Sequence, residues 1–149
     1  MPDVLNTFQG WLKAAEDFQK DTDSIIVNHM VGHESDIIEL NTEKQLFEKG
    51  IDSAGKKITP PYRPLTIRMK RAKGQPTNRV TLQDTGAFHR SFYLTKGKDF
   101  VEINARDPKT KKLLVKYGED VKGLTPDSRD KLVDIMRPGF QSGFKKRFV

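Results

Sequence analysis

The sequence predicts an α+β fold: N-terminal helices, then a small antiparallel sheet with a short helix, then a C-terminal helix. Three observations lead there. Apolar residues recur at helical spacing through the first fifty positions. The period shortens to that of strands only around "SFYLTKGKDFVEINAR". A proline-led helical pattern follows at "TPDSRDKLVDIM". Strands and helices are thus segregated rather than alternating, which argues against a parallel βαβ sheet.

Val4, Leu5, Phe8, Trp11, Leu12, Ala15 and Phe18 predict an amphipathic helix over about 3–20. "DTDS" at 21–24 offers N-caps for a second helix carrying Ile25, Ile26, Met30 and Val31. "IIEL" at 37–40 fits a strand or a helical turn. Thr42 and Gln45 have the spacing of a capping box, so a further helix with Leu46 and Phe47 is expected to start there and end at Gly50. Gly50, Gly55, Pro60, Pro61 and Pro64 interrupt helix across 50–64. Pro64 can open a basic helix that Gly74 stops. "LQDTGAFHRSF" follows at 82–92, with Asp84 or Thr85 as a cap, Gly86 beside it, and Phe88 and Phe92 four residues apart. Two strands are expected about a turn at 96–98, with Phe100, Val101 and Ile103 in the second. "DPKTKK" reads as another turn. Thr125 as N-cap and Pro126 as first residue begin the last helix, whose apolar side is Leu132, Val133, Ile135 and Met136. Pro138–Gly139 is expected to kink or end it, leaving "FKKRFV" as a basic, aromatic tail.

The 149 residues suit a single domain over 1–149, with a helical, acidic part at 1–49 and a basic α+β part with its C-terminal tail at 50–149. Absence of cysteine excludes disulfides, thiolate catalysis and thiolate metal sites. No apolar run approaches the ~20 residues of a membrane span, and the N-terminus lacks the basic-then-apolar order of a secretory signal, so no membrane partner is expected.

Charge is unevenly placed. Residues 1–52 hold four basic and eleven acidic side chains, net −7, whereas 53–149 hold 23 basic and nine acidic ones, net +14. Between Asp52 and Asp84 there is no acid, but Lys56, Lys57, Arg63, Arg68, Lys70, Arg71, Lys73 and Arg79 are present. These eight are the candidates for interface or phosphate contacts. Such a split suits either nucleic acid at the basic part or copies of one chain meeting acidic side to basic side. The segment lacks the interleaved aromatics of single-strand binders and carries no named nucleic-acid motif, so contact with nucleic acid would be to phosphate and salt-dependent.

Catalytic patterns fit poorly. "DTGAF" has one glycine and no suitably spaced lysine, so it is not a phosphate-binding loop. It shares three letters with aspartic-protease sites, but those need a second carboxylate. A hydrolase built on Asp84 is the reading it would support; a turn and helix cap at Asp84, Thr85 and Gly86 demands less. His29 and His33, four apart, lack a clear third ligand for a metal. His89 stands beside no nucleophile, and Ser91 is not in a nucleophile elbow. The expectation is therefore no enzyme, no cofactor and no metal.

Four stretches in order carry a resemblance: "LFEKGIDSAGKKI", "YRPLTIRMKRAKGQPT", "VTLQDTGAFHRSF" and "DFVEINARD…LLVKYGED". Together they span Gln45 to Gly118, about half the chain. The run resembles the virion-morphogenesis and tail-completion proteins of tailed bacteriophages, in the form found in phages of Bacteroides-like bacteria. It departs at Pro60–Pro61, where that family often has one aromatic or glycine, at Tyr117–Gly118, where a histidine often precedes the glycine, and in the basic tail. The resemblance implies a ring-forming structural protein of the neck, head–tail connector or tail end. It would be made in the host bacterial cytoplasm and incorporated in the virion. Its partners would be copies of itself and other head–tail or tail proteins, with basic residues in the lumen near the DNA path. The alternative is a nonspecific nucleic-acid-binding module using the basic 53–79 segment.

Overall fold

The computed structural model describes residues 4–148, with side chains from 8 to 142. The element order is α+β, as expected: N-terminal helices, a small sheet, a C-terminal helix. Helix α1 spans Val4–Gly32 as one piece. The break expected at "DTDS" is absent because Thr22 does not cap. Its hydroxyl instead donates to the Phe18 carbonyl one turn back, at 2.7 Å. The chain pauses at His33 and continues as α2, Glu34–Glu39, which settles "IIEL" as helical and buries Ile37.

The helix then widens into a π-helical stretch, Leu40–Phe47. Here the capping-box expectation is overturned. Thr42 lies inside the helix and donates to the Ile38 carbonyl at 2.8 Å. Gln45 points into the interior instead of reaching back. Its amide donates to the Gly123 carbonyl and accepts from the Thr125 N–H, both at 2.9 Å. Asn41 does the same beside it, donating to the Val121 carbonyl at 3.0 Å and accepting from the Gly123 N–H at 2.9 Å. Two side-chain amides four residues apart thus satisfy the buried backbone of 121–125, which has no ladder of its own. The helix ends at Phe47, short of Gly50, and Arg79 donates to the Phe47 carbonyl at 2.7 Å. Gly50 has φ 62°, and a Cβ there would lie 2.8 Å from the Arg79 Cβ, so only glycine fits this corner.

Helix α3, Pro64–Ala72, starts on its proline and stops before Gly74 at φ 69°, as read from the sequence. Helix α4, Ala87–Arg90, leads into β1, Phe92–Lys96. β1 pairs antiparallel with β2, Val101–Ala105, in the register Phe92↔Ala105 and Lys96↔Val101. Phe100 lies in the turn, exposed, rather than in the strand. The stretch after "DPK" is a helix that the turn reading did not anticipate: α5, Thr110–Tyr117. Asp107 starts it by accepting from the Lys109 N–H at 2.7 Å. Leu113, Leu114 and Tyr117 share its packed side.

Helix α6, Pro126–Phe148, is capped by Thr125, whose hydroxyl oxygen accepts from the Ser128 N–H at 3.1 Å. It runs through Pro138 rather than ending there. Gly139 permits close approach of α1: a Cβ at that position would sit 2.8 Å from His29 Cε1. Of the apolar side read for α6, Leu132 is buried and Met136 packs against its cluster, whereas Val133 and Ile135 are exposed. The expected contributions of Val4 and Leu5 and of the "FKKRFV" side chains lie outside the described residues.

Two adjoining cores result. Leu46, Ile58, Val80, Leu82, Phe88, Phe92 and Val121 form one. Ile37, Leu40, Leu124 and Leu132 form the other. Ile103 of β2 packs against both.

Candidate interaction surfaces

The stretch "LQDTGAF" is a turn stitched to the end of α3. The Lys73 ammonium pairs with the Asp84 carboxylate. Gln75 donates to the Asp84 carbonyl at 2.6 Å. Thr85 acts as the local acceptor, at 3.3 Å from the Ala87 N–H, and Gly86 supplies a φ of 82°. Lys73 as a hydrogen-bond donor holds the Asp84 carboxyl below the usual carboxylate range, more than partial desolvation raises it. A carboxylate so paired is a poor proton acceptor near neutrality, and the geometry serves to fix the chain before Phe88 and Phe92. Those two rings meet edge-to-face, centroids 5.0 Å apart, inside the first core.

Lys70 is the surprise among the eight basic candidates. It is 7% exposed, donates to the Gln83 carbonyl and to Gln75 Oε1, and lies 4.8 Å from the centre of the Tyr62 ring. The Tyr62 hydroxyl in turn accepts from the Thr81 N–H at 2.9 Å. Lys70 is thus an internal strut, as its position in a run of surface cations gave no sign. Arg79 is occupied by the Phe47 carbonyl, by Asn78 Oδ1 at 2.7 Å and by the Phe47 ring. With Lys73 paired, three of the eight hold the fold together. Lys56, Lys57, Arg63, Arg68 and Arg71 are exposed, and the last three cluster on α3 or directly before it.

The exposed side of α3 also carries Leu65 and Met69, four residues apart, 68% and 56% exposed. A second apolar surface lies on α1. Phe8, Trp11, Leu12 and Phe18 share one stripe and are all exposed, Trp11 by 74%. Amphipathicity ordinarily directs such a stripe at a protein's own core; here residues 8–21 are exposed throughout. Further on, α1 packs against the body: Val27 is buried, Lys96 donates to Asn28 Oδ1 at 2.9 Å, and the His29 Nε2–H donates to the Met136 carbonyl at 2.9 Å.

The histidines are committed to packing. His29 and His33 rings stack edge-on at 5.0 Å, and the His33 Nδ1–H donates to Asp36 Oδ2 at 2.8 Å. Among the described residues no three His, Asp or Glu side chains group as metal ligands. His89 is buried, with its Nε2–H donating to the Thr81 carbonyl at 2.8 Å. Burial lowers its pKa, more than that hydrogen bond raises it, and nearby Lys70 lowers it further. No described helix is long and apolar enough to cross a membrane.

No family model matches the chain, and neither a curated protein nor a solved structure matches it.

Proposed function

We propose that this chain is a structural component of a tailed-bacteriophage virion: a ring-forming head–tail connector, neck or tail-completion protein that acts through repeated contacts between its own copies. The observation that carries this reading is the α1 stripe. Three large apolar side chains on it, Phe8, Trp11 and Leu12, are each at least half exposed. Exposed apolar patches of this kind mark contact surfaces. The ordered resemblance over Gln45–Gly118 and the opposite charges of the two parts support the same reading. The turn at 84–86 and the internal roles of Lys70, Lys73 and Arg79 fit a chain whose polar groups build structure rather than catalyse. Mass spectrometry of purified virions tests the proposal: the chain should be present in multiple copies per particle, and its absence would end the reading.

A second reading rests on Lys56, Lys57, Arg63, Arg68 and Arg71, which face solvent. They would bind nucleic acid through phosphates, without sequence preference. Gel-shift titration with duplex DNA at low and high salt distinguishes it: this reading expects retardation at low salt that salt abolishes, and no shift at low salt removes it.

A further inference from the structure

The two edges of the hairpin are finished differently. Across the strands, the Arg106 N–H donates to the Ser91 carbonyl, and at the turn the Gly97 N–H donates to the Phe100 carbonyl. With the register Leu94↔Ile103, these bonds put the backbone groups of Tyr93, Thr95, Glu102 and Asn104 inside the ladder. Those of Phe92, Leu94 and Lys96 point outward from β1, and those of Val101, Ile103 and Ala105 point outward from β2. Helix α2 meets the β1 edge, where Glu34 Oε1 accepts from the Leu94 N–H at 3.0 Å. Among the described residues nothing bonds the outward backbone groups of Val101, Ile103 and Ala105. A groove of about 500 Å³ flanks this edge, lined by Val101 and Ile103 and floored by Met30, Leu124 and Leu132. A row of N–H and C=O groups at two-residue spacing is matched by another extended backbone.

The sequence of β2, Val-Glu-Ile-Asn-Ala, is complementary to itself. Set antiparallel, Ile103 lies opposite Ile103 of a second copy and Val101 opposite its Ala105, and each pair exchanges both backbone bonds. The side chains of these pairs are apolar and share the face that packs on the core. In the closely spaced pairs between them, Glu102 falls opposite Asn104 of the other copy and not opposite Glu102, so no like charges meet. Glu102 is exposed and accepts from its own Asn104 amide at 3.4 Å. Lys122 Nζ lies 3.3 Å from Asn104 Oδ1. The pairing therefore carries the Glu102 carboxylate of each copy to the Lys122 ammonium of the other. One position further, exposed Phe100 falls opposite Arg106, whose guanidinium already covers the Tyr93 ring at 4.0 Å.

We infer that two copies join through their β2 edges, about a two-fold axis at Ile103, and merge their two-stranded sheets into one with the order β1–β2–β2–β1. The contact is isologous and closes after two copies. It goes beyond the ring-forming reading, because a ring needs a separate, heterologous contact; where both are made, this one joins two rings.

Sedimentation of the full-length protein over a concentration series reads the association, and dimers or assemblies with an even number of copies are expected. Val101→Pro removes an outward donor and leaves the ladder of β1 and β2 intact, so it should weaken the association about tenfold or more with an unchanged far-UV spectrum. Charge reversal tests the register. Glu102→Lys sets lysine against Lys122 of the other copy, and Lys122→Glu sets glutamate against Glu102; each variant alone should associate more weakly than the parent. Mixed one to one, they should form a heterodimer tighter than either homodimer, because both cross-copy pairs are again opposite in sign. A Val101→Pro protein that associates as tightly as the parent, or a mixture no tighter than its separate components, overturns the contact and leaves the ring reading standing. A parent that stays monomeric at every concentration also overturns it.

Discussion

The arm of α1 and the π-helical stretch at 40–47 are both amphipathic helices, yet they use their faces in opposite ways. The arm turns Phe8, Trp11, Leu12 and Phe18 outward. The π-helical stretch turns two amides, Asn41 and Gln45, inward, where they are fully buried. Apolar exposure in one and polar burial in the other follow from what each has to contact. The 121–125 segment brings unpaired backbone donors and acceptors against the helix, and only side chains with both functions can satisfy them. Along 8–21 the first helix stays exposed. The difference teaches that apolar character does not by itself locate the core: an unmet hydrogen-bonding demand can outrank it in one place, and an apolar stripe can stay exposed in another.

The strongest way to break this contrast is Gln45→Ala. It leaves the Gly123 carbonyl and the Thr125 N–H unsatisfied in the interior and should cost about 2–5 kcal/mol in urea denaturation. A loss below about 1 kcal/mol would mean that the amide is not what ties α2 and its extension to the start of α6. Acidity sharpens the contrast next. The His89 pKa is lowered in the fold from its ordinary 6.5, so the unfolded chain takes up a proton there that the folded chain does not. Stability from this group is fully present above about pH 6.5 and falls as the pH drops toward the lowered folded value. Urea midpoints measured from pH 7.5 down to 5 should decline in the parent and decline less in His89→Gln.

A smaller effect is expected at Asp84→Asn. The Lys73–Asp84 pair is half exposed, so screening limits its loss to about 0.2–1 kcal/mol. Its pH signature has the usual carboxylate sign: the contribution is present above the ordinary 3.8 and disappears as pH falls through the lowered value. A loss as large as that for Gln45 would give the turn a greater share of the stability than its exposure allows. Least of all is expected from Trp11→Ala, within about 0.5 kcal/mol of parent stability when measured at concentrations where the chain is monomeric. A larger loss would show that the arm belongs to the core after all.

Much of the fold was legible where local chemistry decides. Pro64 and Gly74 bound α3, Thr125 and Pro126 open α6, and the turn before Phe88 is made by Thr85 and Gly86 as hydroxyl and glycine chemistry require. The misreadings share a cause. Thr22 and Thr42 look like caps because a hydroxyl can end a helix, but the same hydroxyl can bond one turn back within it. Pro138 removes one helical hydrogen bond, which α6 tolerates where α1 packs against it beside Gly139. At 107–112 the lysines read as a turn, whereas Asp107 opens helix α5 and Leu113, Leu114 and Tyr117 pack on one side of it. The basic candidates were equally mixed. Composition placed eight cations in one stretch, but nothing local separates Lys70, buried over Tyr62, from Arg68 and Arg71 in solvent.

By itself, then, the sequence determined the α+β order of helices, small sheet and last helix, the opposition of charge between its two parts, and the apolar stripe at helical spacing on the first helix. These depend on neighbours within a few residues, and periodicity records them. Only the tertiary structure decided which stripe is covered, which lysine is a strut, and that Asn41 and Gln45 serve the backbone eighty residues away. Those outcomes are set by which surfaces meet once the chain has closed on itself, and burial and hydrogen-bond satisfaction are properties of that meeting rather than of any local run of residues.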